Sequence, residues 1–217
     1  MVINNIKYKL VMFDMDGTLL DGRSIFILSE KKGFKNKLLK SLKEDKQPYQ
    51  KSIEIAKFLK GLNSLELLEI VRRIPLQKNA EIVAQKLKQK NIKTAVITDS
   101  YQFIADDIKK RLGFDYAFAN NLIIEENIVT GEIILNNNNL RRCETGLTYS
   151  ICKGLILEKL CKNLDIKTEE VIAIGDGQVD IGMIKKAGLG IAYKASEKVQ
   201  KNADIISNDL AVILNYI

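Results

Sequence analysis

Leu10-Val11-Met12-Phe13-Asp14-Met15-Asp16-Gly17-Thr18 is the stretch on which the reading of this chain turns. Four consecutive apolar residues are the mark of a strand buried on both faces, and two carboxylates follow it at once. Asp14 and Asp16 stand two apart, so in an extended segment they project to the same side. Gly17 permits close backbone approach, and Thr18 offers a hydroxyl. At average residue frequencies D-x-D-G-T has roughly a few chances in a thousand of arising by accident in a chain of 217 residues. Its place directly after an apolar strand lowers that further.

Outward from this strand, short apolar runs alternate with amphipathic segments, the pattern of α/β architecture. Ala80, Val83, Ala84 and Leu87 share one face of a helix over 79–90, and Thr94–Ile97 is a second buried strand. A helix capped by Ser100 follows, with Ile104, Ile108 and Leu112 as its stripe and Gly113 as its stop. Tyr116–Ala119 is a third strand, and Leu122–Glu125 with Ile128–Leu135 reads as a hairpin turning at Glu126-Asn127. The Asn136–Asn139 tract is expected to be a surface loop. A helix over 148–163, a strand Val171–Ile174, shorter strands at 190–193 and 203–206, and a last helix capped by Asp209 complete the pattern.

Residues 22–76 differ: they contain helical stretches punctuated by Gly33, Pro48, Gly61 and Pro75, one of them capped by Ser64, and no convincing strand. The expected fold is a doubly wound parallel sheet, a Rossmann-like core, with a helical cap inserted after the first strand. The core would span 1–21 and 77–217, the cap 22–76, and a small β-hairpin 121–135 lies within the core.

Composition removes whole chemistries. There is no histidine, and Cys143, Cys152 and Cys161 form no C-x-x-C pair, so His- or Cys-pair zinc sites and Ser-His-Asp or Cys-His catalysis are out. Cys152 shares a helical face with Leu155 and Ile156 and reads as a small buried hydrophobe, whereas Cys161 points to the opposite side or lies at the helix end. Any general acid or base must be a carboxylate, Lys, Tyr or Cys. The net charge is +7, but the lysines are scattered among acids, Trp is absent and aromatics make up 6%, so no nucleic-acid partner is expected. No apolar run approaches the ~20 residues of a membrane helix. Met1–Lys7 has no signal core or cleavage site, which together predicts a cytoplasmic protein without a membrane partner.

The remaining chemical residues sit at or beyond the ends of other elements. Asp176 and Asp180 follow the strand Val171–Ile174, with Gly175 and Gly177 to tighten the turn. With Asp14 and Asp16 they supply hard oxygen ligands suited to Mg²⁺. Thr98 ends the second strand and Lys153 sits on a later helix; a hydroxyl and an ammonium are what the oxygens of a transferring phosphoryl group require. Singly, Gly-Asp-Gly is ordinary turn chemistry and Lys153 an ordinary surface residue. Their order along the chain is what carries weight.

In that order the chain resembles the haloacid dehalogenase superfamily of phosphohydrolases, and within it the phosphoserine phosphatase-like group. The match rests on Phe13-Asp14-Met15-Asp16-Gly17-Thr18, Val96-Ile97-Thr98, Lys153-Gly154-Leu155 and Gly175-Asp176-Gly177-Gln178-Val179-Asp180, and covers residues 10–20 and 78–215. The resemblance implies that Asp14 attacks phosphorus and forms an aspartyl-phosphate, and that Asp16 acts as general acid and then base. It further implies that Asp14, the backbone carbonyl of Asp16 and Asp176 hold Mg²⁺ with support from Asp180. Thr98 and Lys153 would bind phosphate, and the substrate would be a small phosphorylated metabolite.

The departures bear on substrate. Where phosphoserine phosphatases carry a Glu for the substrate amine, this chain has Arg23, and Ile55 aligns with their carboxylate-binding Arg. Val179 replaces an Asn, and Asp99 and Ser100 replace glycines. Phosphoserine is therefore expected to be a poor substrate, and Arg23 is expected to favour a phosphoester with a further anionic group and no amine. Transfer of the phosphoryl group to an alcohol, or a non-catalytic phosphate-binding scaffold, are the alternatives. The oligomeric state is not legible.

Overall fold

The computed structural model describes residues 7–217. The expected start of the core at residue 1 and most of the leader reading at Met1–Lys7 lie outside the described residues. The strands are β1 (Leu10–Phe13), β2 (Lys93–Tyr101), β3 (Tyr116–Glu125), β4 (Ile128–Ile134), β5 (Val171–Gly175), β6 (Leu189–Tyr193) and β7 (Ile205–Ser207). They form one sheet of order β4-β3-β2-β1-β5-β6-β7, parallel throughout except for the antiparallel β3–β4 pair.

The apolar run of β1 is explained by its central place. Val11 and Phe13 pack into the core on one face of the sheet, and Leu10 and Met12 into the core on the other. The first face is covered by α5 (Ala80–Gln89) and α6 (Gln102–Leu112), which contribute Val83, Leu87, Ile104 and Ile108. The second is covered by α7 (Lys153–Leu164) and α8 (Ile181–Lys186), through Leu157, Leu160 and Met183. Truncating a side chain such as Met12 to alanine there would cost about 2–5 kcal/mol. The sheet is doubly wound, as expected. The chain leaves β1 for β2 on one side and later returns to β5 on the other, so the crevice beyond β1 and β5 is where ligands bind in such sheets.

Between β1 and α5 run four helices, α1 (Ser24–Lys31), α2 (Lys35–Lys43), α3 (Pro48–Phe58) and α4 (Ser64–Arg72). They dock on the β3–β4 hairpin through Gly61 N–H to Val129 O at 2.8 Å and Ser64 N–H to Asn127 O at 2.8 Å. The segment leaves and rejoins the core at one point, where Leu20 and Leu76 form a β-bridge.

Several local expectations are corrected. Ser100 does not cap a helix: β2 continues to Tyr101 because the Asn120 amide donates to the carbonyls of Asp99 (2.8 Å) and Ser100 (3.3 Å), holding this polar stretch in the sheet. The third strand and the first hairpin arm are one continuous β3, and Glu126 (φ 47°) and Asn127 (φ 66°) make the two-residue turn to β4. Helix α7 starts at Lys153 rather than 148. Asn137 is buried and its amide donates to Tyr149 O at 3.0 Å, while its N–H donates to Ser150 O at 2.8 Å. That asparagine is a buried brace, not part of a surface loop. Asn63, not Ser64, caps α4, accepting from Leu65 N–H at 2.9 Å. Asp209 does cap the last element, a 3₁₀ turn over Leu210–Asn215. Cys161 is buried, as is Cys152.

Candidate active site

Asp14 emerges from β1 with its N–H bonded to Ile174 O of β5 at 2.9 Å, which fixes it at the centre of the crevice. Lys153, the first residue of α7, is 1% exposed, and its ammonium donates to Oδ1 of Asp14 and, at 2.5 Å, to Oδ1 of Asp180. Oδ2 of Asp180 accepts from Gly177 N–H at 2.8 Å. Glycine at 175 is a steric requirement: a Cβ there would lie 2.4 Å from the Cβ of Asp180. Gly17, at φ +94°, leaves the same kind of room for Asp176, whose Oδ2 would be 2.8 Å from an added Cβ.

Asp16 turns away from this cluster. Its Oδ1 accepts from Ser24 N–H at 2.7 Å and its Oδ2 from the Ser24 hydroxyl at 2.8 Å, at the N-terminus of α1. Arg23, next in sequence, donates to Oδ2 of Asp176 at 2.7 Å. Thr98 is fully buried at the β2 bend, its hydroxyl accepting from Ser100 N–H at 3.1 Å. Lys153 thus contacts Asp14 and Asp180, Arg23 contacts Asp176, the three carboxylates lie together, and Asp16 and Thr98 bond other partners.

Burial raises the Asp14 carboxyl to about 7 against the pull of Lys153, with Asp176 adding to the rise. Burial raises Asp180 to about 7 in the same way, opposed by Lys153 and reinforced by Asp14. Asp176 is raised by burial and by Asp180. Asp16 reaches about 6, raised by burial and restrained by the two Ser24 donors. Burial alone would lower Lys153, but Asp14 and Asp180 outweigh it and keep the ammonium charged.

Carboxylate oxygens of Asp14, Asp176 and Asp180 lie within 4.8 Å of one another. Three acids share the charges of Lys153 and Arg23, and burial first, with their mutual repulsion after it, raises all three pKa values. A hard divalent cation with oxygen preference fits that donor set. Asp16 contributes no carboxylate to it.

A cavity of about 170 Å³ opens over the cluster. Asp14, Asp16, Arg23, Asp176 and Asp180 line it at one end, and Ile55, Asp99, Ser100 and Val179 lie along its walls.

A family model of haloacid dehalogenase-like hydrolases matches residues 8–188. The chain belongs to the haloacid dehalogenase-like hydrolase family. Within that family the phosphoserine phosphatase of Methanocaldococcus jannaschii is 34% identical over 217 residues, covering 97% of this chain and 98% of that one. The phosphoserine phosphatase of Campylobacter jejuni subsp. doylei is 32% identical over 201 residues, covering 91% and 92%. A solved phospho-aspartyl intermediate analogue of phosphoserine phosphatase superposes with a TM-score of 0.82 at 34% identity, covering 97% of this chain and 99% of that chain. The protein is an enzyme, a phosphatase of the phosphoserine phosphatase-like group of the haloacid dehalogenase-like family, and the scaffold alternative falls away.

Two supports escaped the sequence reading. One is Ser24, although a Ser opening a helix after D-x-D is a signal for a capped carboxylate. Gln77 had no signal at all. Its amide donates to Asp21 Oδ1 at 3.2 Å while its carbonyl accepts from Tyr193 and Lys194, bracing the loop after β1. Among the described residues no helix is long and apolar enough to cross a membrane.

Proposed function

We propose that this chain is a magnesium-dependent phosphomonoester hydrolase that acts on a small phosphorylated metabolite through an aspartyl-phosphate on Asp14. The observation that carries the reading is buried Lys153 bonded to both Asp14 and Asp180, two carboxylates that themselves line a cavity open to a substrate.

With Oδ1 of Asp14 held by Lys153, the other oxygen attacks phosphorus, and the P–O bond to the leaving group breaks. Asp16, raised to about 6, keeps a protonated fraction near neutrality and from that form delivers the proton to the leaving oxygen. As carboxylate it then takes a proton from the water that attacks the aspartyl-phosphate, which releases phosphate and restores Asp14. Lys153 and the Thr98 hydroxyl are assigned to the phosphoryl oxygens. Asp14, Asp176, Asp180 and the backbone carbonyl of Asp16 would hold Mg²⁺, which supplies charge neutralisation for the transferring group. Arg23 is assigned to specificity. The three free cysteines, Cys143, Cys152 and Cys161, suit a reducing compartment, and the cytoplasm is the one we assign.

Phosphate release from p-nitrophenyl phosphate with Mg²⁺ and with EDTA tests the reading; full activity in EDTA removes the metal from it. Added alcohol that diverts the phosphoryl group into a new ester at the expense of phosphate would identify a phosphotransferase instead.

A further inference from the structure

Hydrocarbon side chains from three helices and one strand line the cavity above the carboxylates. Ile25 and Phe26 come from α1, Leu42 from α2, Ile55 from α3 and Ile133 from β4. Against them stand one cation, Arg23, and one acid outside the catalytic cluster, Asp99, with the hydroxyls of Ser52, Ser100 and Tyr101.

Arg23 is not a spare charge. Its guanidinium donates to Asp176 at 2.7 Å, and Asp14, Asp99 and Asp16 further hold it in the charged form. A substrate carboxylate entering the cavity would have to compete with those acids for it. A substrate ammonium would meet the same guanidinium as a like charge, with Asp99 as the wall acid facing it. A carboxylate moved from water into this space without a free cation is penalised as any unpaired buried ion is. An apolar group instead gains free energy in proportion to the area it removes from water.

We infer that the leaving group is an uncharged, apolar alcohol: the enzyme hydrolyses alkyl- or aryl-type phosphomonoesters in preference to amino-acid or carboxylate-bearing ones. Arg23 then acts on specificity because its charge is already matched by Asp176, which leaves no free cation for a substrate carboxylate. The inference rests on the phosphohydrolase reading above. It replaces the sequence-based expectation of a second anionic group on the substrate.

The test compares kcat/KM for n-butyl phosphate, phosphoserine and phosphoglycolate, in wild type, Ile55→Arg and Phe26→Ala. Butanol is the poorest leaving group of the three, so intrinsic reactivity works against the expected order. Butyl phosphate should exceed both charged esters by at least about tenfold. Ile55→Arg should lower that ratio at least about tenfold by supplying a wall cation. Phe26→Ala should lower the butyl phosphate value more than the other two; a merely structural role would lower all three alike. Phosphoserine or phosphoglycolate matching butyl phosphate in wild type, or ratios unmoved in both variants, would overturn the inference while the hydrolase reading stands. Release of phosphate from none of the three esters nor from p-nitrophenyl phosphate would overturn both.

Discussion

Ser24 holds both oxygens of Asp16, its N–H donating to Oδ1 at 2.7 Å and its hydroxyl to Oδ2 at 2.8 Å. The pair sets the acid–base properties assigned to Asp16, because each donor stabilises the carboxylate and restrains the rise that burial imposes. Ser24→Ala removes the hydroxyl donor and should push the Asp16 pKa above about 6. The alkaline limb of kcat/KM, where the general acid loses its proton, should then move to higher pH. A pH profile of both proteins checks this, and a limb that stays put or moves to lower pH separates Asp16 from the proton transfer.

Lys153 compensates two buried carboxylates at once, so its loss leaves both without an ammonium. Lys153→Met keeps the length of the side chain and should lower metal-free stability by about 3–5 kcal/mol, the cost of breaking a buried ion pair from one side. If Lys153 also meets the phosphoryl oxygens, kcat should fall by about 10²–10³. Thermal melts in EDTA and steady-state kinetics in Mg²⁺ measure the two losses separately. A variant as stable as wild type would show that Asp14 and Asp180 do not depend on this lysine.

The same cluster predicts how pH and metal interact. Asp14 and Asp180 titrate at about 7 in the folded metal-free protein and at about 4 in the unfolded chain. Between those values the native state binds more protons, so their contribution to stability falls as pH rises from about 4 to 7 and stays low above it. A cation that binds the ionised cluster offsets this loss. The rise in Tm caused by Mg²⁺ should therefore be larger at pH 8 than at pH 5. An equal or larger rise at pH 5 would detach the metal from these carboxylates.

What could be read from the residues, and what could not, follows from the range of the forces involved. β1 and β5 were legible because a strand buried on both faces must be apolar throughout, and the acids stand out where the apolar run stops. Lys153 and Asp180 were legible only through their order in the motif series, since nothing local distinguishes a lysine that will be 1% exposed from one in water. The partners of the polar loops were not legible. Asn120 reaches 21 residues back to the carbonyl of Asp99, and Asn137 holds residues 149 and 150 out of the helix expected there. Local propensity cannot register such contacts. Arg23 illustrates the same limit at the site: sequence placed it near the substrate, and the fold brings Asp176, 153 residues away, onto its guanidinium.

The proposed mechanism stands on Asp14 carrying the phosphoryl group between substrate and water. The most direct measurement is an acid quench during turnover of p-nitrophenyl phosphate bearing a radiolabelled phosphoryl group, followed by proteolysis and mapping of the label. Label is expected on the peptide containing Asp14 and none on the same peptide of Asp14→Asn. Label on a different residue, or label retained by Asp14→Asn, would contradict it.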